Sequence, residues 1–286
     1  MHRITAALWV GGAALPLASW ADTPGADAGA HSLTYNLALT SDYRFRGLSQ
    51  TGKKPAIQAG LDYAHGSGAY LGAWASNVNG NQYPGAHMEM DLYGGYKLEL
   101  ARELGGDFGL IHVHYPGGKS TSATTTFASR PGTTTYPNTT EVYAGMTYRW
   151  FSVKYNYSLS SSLFGLDSGT VGTLADINGN NAYNTPNKNT RGSGYLDLSA
   201  NFEVADKLAL NLHLGHQNVR NYSKFSYSDY KVGLTKDLAG FSISAAIYGT
   251  NARSEWWFAQ TPSQVGSTSR TRIGDPGLVL SVSRTF

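Results

Sequence analysis

The sequence predicts an all-β fold: a transmembrane antiparallel β-barrel of about twelve strands, with short turns at one end and long loops at the other. Three observations predict it. Apolar and polar residues alternate with period two in one segment after another, as strands with one greasy face require. The links between those segments alternate long and short, as they do in a barrel whose termini share one side of a membrane. Charged residues make up only 14% of the chain, against about 25% in average globular domains. A barrel accounts for that, because half of each strand faces lipid and the rest can be polar without dense charge.

Residues 1–21 read as a secretory signal, with Arg3 as the positive end, Ile4 to Ala18 as the apolar run, and Ser19-Trp20-Ala21 as the cleavage site. That run is too short, and too broken by Gly11, Gly12 and Pro16, to cross a bilayer as a helix. Residues 22–30 are a small, polar lead-in expected to be disordered in the periplasm, and 22–286 form a single barrel domain. The chain has no Cys, so stability is expected from strand pairing rather than disulfides. Formal net charge is +3, one less once Arg3 leaves with the signal. Near-neutrality argues against nucleic acid as a partner, since it would call for a strong basic patch.

Strand one is expected from Leu33 to Gly47, with Leu33, Tyr35, Leu37, Leu39, Tyr43 and Phe45 outward and Thr34, Asn36, Asp42, Arg44 and Arg46 inward. Strand two (56–64) turns Ile57, Ala59, Leu61 and Tyr63 out. Strand three (69–77) is ambiguous in phase. Strand four (88–100) sets Met88, Met90 and Leu92 against Glu89 and Asp91. Strand five (108–115) is expected to turn Ile111, Val113 and Tyr115 out. Strands six and seven flank Trp150, with Glu141 and Lys154 inward. Strand eight sets Leu196 and Leu198 against Asp197, strand nine sets its leucines against Asn211 and His213, and strand ten sets Tyr230 and Val232 against Asp229 and Lys231. Strand eleven has Phe241, Ile243 and Ile247 outward. The last strand runs from Leu278 to the terminal Phe286. Aromatics near strand ends are expected to form two interfacial girdles.

The segments Ser41-Asp42-Tyr43-Arg44-Phe45-Arg46-Gly47, Ser49-Gln50-Thr51, Pro55 to Tyr63 and Trp74 to Val78 resemble the opening of the TorF family of porins. The resemblance covers the first quarter of the chain and implies a Gram-negative outer-membrane barrel. The terminal strand resembles the signal read by the barrel-assembly machinery, with Phe286 at its end and Arg284 as a departure.

The expected role is a porin-like passive channel for small hydrophilic solutes, exported to the outer membrane and seated in its lipid, with no cofactor. The alternatives are a non-conducting barrel that binds or anchors through its long loops, and an outer-membrane phospholipase. For the last, His65-Gly66-Ser67 is the nearest Ser–His pairing, but it falls in a turn on the periplasmic side and suits an ordinary Gly-Ser turn. His112 and His114 share a strand face without a carboxylate in register, so a polar lumen lining is expected rather than a metal site. The Ser/Thr-rich run from Lys119 to Thr140 is expected either to narrow the lumen or to lie in solvent. Trp256, Trp257 and Phe258 in the last long loop are candidates for a stacking platform, set against packing over the mouth.

The candidate selectivity ring comprises Asp42, Arg44, Arg46, Glu89, Asp91, Glu141, Asp197, Asp229 and Lys231. Strand six lies nearly opposite strand one in a ring of twelve, so Arg44 and Arg46 are expected to face Glu141 across the pore. Three basic and six acidic groups at that level give an expected weak cation preference. The competing expectation is that the same groups pair into a network that plugs the lumen.

Overall fold

The computed structural model of the chain describes residues 31–121, 134–166, 188–254, 256–262 and 268–286. The signal and lead-in lie outside the described residues, as do 122–133 of the Ser/Thr-rich loop. Twelve antiparallel strands close into a barrel: β1 (His31–Thr40), β2 (Ala56–His65), β3 (Ala69–Asn77), β4 (Met88–Ala101), β5 (Leu104–His114), β6 (Thr139–Tyr148), β7 (Phe151–Ser158), β8 (Gly194–Ala205), β9 (Leu208–Asn218), β10 (Tyr227–Leu238), β11 (Phe241–Thr250) and β12 (Gly277–Thr285). Each strand pairs with its neighbours in sequence, and β12 closes on β1.

The links bear out the alternation. The connections after β4, β6, β8 and β10 are two-residue turns, with Glu103, Arg149, Lys207 and the Ala239-Gly240 pair at positive φ, as tight hairpins with the strand twist require. All long links lie at the other end. The closing seam is short: β1 and β12 share five register pairs, from Asn36–Thr285 to Thr40–Ser281. On its other edge β1 matches β2 from His31–His65 to Thr40–Ala56.

Large apolar side chains stand exposed around the outside, among them Leu37, Leu61, Leu92, Leu110, Leu198, Val232, Leu234, Ile247 and Leu280. A soluble protein does not present such a belt, whereas a bilayer core is its natural solvent. Tyr63, Tyr96, Phe108, Tyr148, Trp150, Phe151, Phe241 and Phe286 ring the short-turn end. Arg284 faces outward there, its guanidinium 5.2 Å from the Phe241 ring and 4.9 Å from the Phe286 ring. Those aromatic faces and the nearby interface make room for a cation on this side.

Three expectations are corrected. Strand one stops at Thr40. The chain then bends inward, and Arg44–Phe45 pairs with Leu48–Ser49 as a small hairpin. Its two-residue turn, Arg46-Gly47, has φ 47° and 77°, which suits a tight hairpin and ends the long strand. Tyr43 and Phe45 therefore face inward, as does Tyr115, so the aromatic girdle is fuller at the short-turn end. Strand five begins at Leu104 and has the opposite phase. Phe108 and Leu110 face out, while Ile111, Val113 and Tyr115 are buried within. They are apolar because they pack on Tyr43, Val78, Tyr83 and Ala86 of the inserted loops. His112 and His114 consequently stand on the outer face, with His112 Nδ1 2.8 Å from Thr140 Oγ1 on β6, and do not line the lumen. In β3, Tyr70 and Trp74 point in and Leu71 points out.

Candidate functional site in the barrel mouth

The link between β1 and β2 folds into the mouth instead of leaving the barrel. Tyr43 Oη donates to Glu89 Oε1 on β4 at 2.6 Å, and its ring meets Trp74 of β3 edge-on at 5.3 Å. Arg44 binds Asp42 at 2.6 Å and donates to the carbonyls of Ile273 and Asp275 at 3.2 and 3.0 Å. Asp42 also accepts from Ser49 and Thr51, so this carboxylate organises the loop rather than lining a path. Gly47 packs so tightly on the wall that a Cβ would lie 2.5 Å from Asp229 Cβ and 2.5 Å from Thr250 Cγ2.

Arg46, at the tip, reaches furthest. Its guanidinium donates to Glu141 Oε1 and Oε2 on β6 at 3.1 and 2.5 Å, and to Gln217 Oε1 on β9 at 2.6 Å. The rings of Phe45 and Tyr195 lie 4.7 and 4.4 Å from it. The ion pair is nearly dry, with side-chain exposures of 5% and 2%. Burial alone would lower the Arg46 pKa, but the Glu141 carboxylate against it more than reverses that and raises it, so the group stays cationic. Arg46 and Glu141 were expected to face each other across an open gap; the hairpin carries Arg46 over to Glu141 instead. No side chain on the β1 wall could make that span.

Below the tip the lumen is polar. On one side Tyr70 donates to Asp107 at 2.6 Å and contacts the Tyr143 hydroxyl, while Tyr93 donates to Asp62 at 2.5 Å. Lys97 and Lys154 lie over the rings of Tyr70 and Tyr143. On another side His213 is held between Asp197 at 3.2 Å and Asp229 at 2.9 Å, with Tyr195 also donating to Asp229. Ser199 Oγ lies 3.2 Å from His213 Nδ1 and 2.7 Å from Asp197. A His clasped by two carboxylates suits an ion-pair centre better than a base serving that serine. Lys231 is buried inward, 5.6 Å from the Tyr248 ring. Asn201, Asn211 and Thr235 form a hydrogen-bonded neutral run, and Thr40 and Ser281 bond across the seam at 2.9 Å.

All nine ring candidates are buried inside the barrel or face its lumen; Asp42 pairs with Arg44 and Glu141 with Arg46, while Asp197 and Asp229 hold His213 between them. Sequence reasoning missed His213, Tyr195 and Gln217 as partners of that ring; their inward phase was readable, their pairing was not. Of the two expectations for the last long loop, the structure matches packing over the mouth. Trp256 is only 3% exposed and packs with Leu163, Leu166, Val219, Tyr222 and Phe225 from two other loops. Trp257 Nε1 donates to the Phe225 carbonyl at 3.2 Å. Neither offers an open face, because three loops fold together over the mouth; the Phe258 side chain lies outside the described residues. At the opposite end His65 Nδ1 is 2.8 Å from Ser67 Oγ, a contact local to an exposed turn.

The family model described as "Bacterial protein of unknown function (Gcw_chp)" matches residues 25–286 and does not confirm the TorF name. No curated protein matches the sequence. Among solved structures, the barrel is similar to a KdgM porin in complex with disordered oligogalacturonate, with 7% identity and a TM-score of 0.47 over 90% of this chain and 99% of that one. It is similar to the NanC porin at 8% identity and a TM-score of 0.48, covering 89% and 98%. The outer membrane protein OprD from Pseudomonas aeruginosa gives 14% identity and a TM-score of 0.35, covering 82% and 59%. Scores of that size carry no argument about what passes through, or binds to, this barrel.

Proposed function

The chain belongs to the Gcw_chp family of bacterial proteins of unknown function, and from that premise we propose that it is a porin-like passive channel of the outer membrane whose mouth is narrowed by its own first loop. One observation carries this reading: a closed twelve-strand barrel has an apolar belt outside and hydroxyl, amide and charged side chains inside. A polar lumen without hydration or cargo would be a costly way to fill a barrel, since every buried polar group needs a partner. Barrels of about eight strands fill their interiors and those of sixteen hold open channels, so twelve strands plus an inserted loop suit a narrow path for small hydrophilic solutes. The belt makes bilayer lipid the outer partner, and the long loops face the cell exterior. The signal at residues 1–21 provides export, and the terminal strand ending in Phe286 engages the barrel-assembly machinery. Asp42, Arg44, Arg46, Glu89, Asp91, Glu141, Asp197, Asp229 and Lys231 surround the constriction, with a weak preference for cations.

A specific observation favours a second reading. Arg46 ties the hairpin to the far wall through a nearly dry ion pair, as a permanent plug would. The barrel would then be non-conducting and act through its loops. Purified protein in a planar bilayer separates the two. Discrete current steps are expected for the channel, and an absence of steps under all applied voltages would leave the plugged barrel. Phospholipid hydrolysis that is lost in Ser67→Ala or Ser199→Ala would overturn both in favour of an enzyme.

A further inference from the structure

Glu89 and Asp91 are consecutive inward residues of β4, about 7 Å apart along the strand, and are 1% and 4% exposed. Glu89 Oε1 accepts from Tyr43, but Glu89 Oε2 and Asp91 Oδ1 have no hydrogen-bond partner. Among the described residues neither carboxylate has a cationic group in ion-pair range: Arg44 is spent on Asp42, Arg46 on Glu141, and His213 on Asp197 and Asp229. A second, neutral group points the same way. Tyr115, just beyond the end of β5, is fully buried, and its hydroxyl approaches Glu89 and Tyr83 but meets neither at standard hydrogen-bond geometry. Gln82 Oε1, on the loop that packs here through Tyr83, is likewise buried and unpartnered. Two buried carboxylates side by side on one strand face, with no cation beside them, are too costly to persist as bare anions.

We propose that Glu89 and Asp91 bind a hard divalent cation of the calcium class, which fastens the inserted loop to the barrel wall through Tyr43. The charge balances, two carboxylates against one dication. The donors are all oxygens, which select calcium or magnesium over zinc or copper. No three His, Cys, Asp or Glu side chains converge on a metal-sized site among the described residues, so the remaining positions fall to neutral oxygens such as Tyr115 Oη and to water. The site goes beyond the channel reading and does not depend on it, because a plugged barrel would hold the ion equally well.

The test uses the purified, folded barrel in detergent after treatment with a chelator. Terbium(III) serves as the probe, because Trp74 is the cross-strand partner of Asp91 and would sensitise its luminescence. Saturable sensitised emission, displaced by calcium, is expected. In Glu89→Gln/Asp91→Asn the affinity should fall by at least about tenfold, the loss typical even for outer partners of a metal site. The single variant Asp91→Asn provides the same reading if the double variant fails to show the gel mobility shift of a folded barrel. Absence of sensitised emission, or emission undiminished in folded variants, would overturn the proposal and leave two carboxylates kept neutral by protonation. Emission displaced by sodium at equal concentration would overturn the assignment to a dication.

Discussion

Arg46 donates to both carboxylate oxygens of Glu141, at 3.1 and 2.5 Å, and so anchors the tip of the inserted hairpin on the opposite wall of the barrel. Removing one partner of a buried ion pair typically costs about 3–5 kcal/mol, because the other is left uncompensated. Here the hairpin can also swing free. Arg46→Ala is therefore expected to lower stability in urea while giving larger single-channel current steps. Steps of unchanged size would show that the hairpin does not obstruct the path.

Arg44 and Arg46 are the basic groups of the inserted hairpin, among carboxylates from several strands. With both replaced by Ala, the mouth keeps Glu89, Asp91, Glu141 and Lys231 and loses two of its three fixed positive charges. Cation preference should sharpen, read as a larger reversal potential in a salt gradient. An unmoved reversal potential, with conduction intact, would place these arginines off the permeation path.

Gly47 has φ 77° and no space for a Cβ against Asp229 and Thr250. Gly47→Val combines backbone strain of about 1–3 kcal/mol with a clash that only withdrawal of the hairpin relieves. The folded variant should be cut by trypsin after Arg44 or Arg46, where the wild type resists. Equal resistance of the two would mean that the wall yields instead of the loop.

His213 sits between two carboxylates and is the cation nearest to both, 3.2 Å from Asp197 and 2.9 Å from Asp229. His213→Leu should cost about 3–5 kcal/mol by the same uncompensated-charge argument, measured by urea unfolding. Adding Asp197→Asn and Asp229→Asn should recover most of that loss. A triple variant no more stable than the single one would show that packing, not charge, was at stake.

The absence of Cys makes single-cysteine labelling clean. On β5, Leu110→Cys should react with a lipid-soluble maleimide, and Ile111→Cys should not. The reverse pattern would restore the strand phase that the apolar residues alone suggest.

That last case shows where the sequence was legible and where it was not. Where a strand's inner face carries polar side chains of its own, as at Glu89 and Asp91 of β4, Lys154 and Asn156 of β7, and Asp229 and Lys231 of β10, apolar residues mark the lipid face and the phase is plain. In β5 the inner face is apolar too, because Ile111 and Val113 meet Tyr43 and Tyr83 from loops distant in sequence. Local alternation holds no record of such a contact. The end of β1 is different, since its signal was present: Arg46-Gly47 between Phe45 and Leu48 is a two-residue hairpin turn, masked by alternation that continues on both sides of it. The charged ring could be collected from inward phase, but its pairing depended on a hairpin leaving the wall. For Trp256 the sequence left stacking and packing both open, because a loop sequence does not disclose which other loops it meets.

The hairpin also has a place in time. Arg44 grips the carbonyls of Ile273 and Asp275, Ser49 donates its backbone to Ile273, and Ser41 does so to Leu280. The first loop is thus laced to the last loop and the last strand beside a seam of five register pairs, between partners more than two hundred residues apart. Contacts of such long range form late, since the closure entropy must be met before they repay it. The hairpin is expected to settle only once the final strand has docked, so a nascent barrel passes through a stage with its sides joined and its mouth bare. An assembly factor holding the terminal strand would then also set the moment at which the mouth narrows.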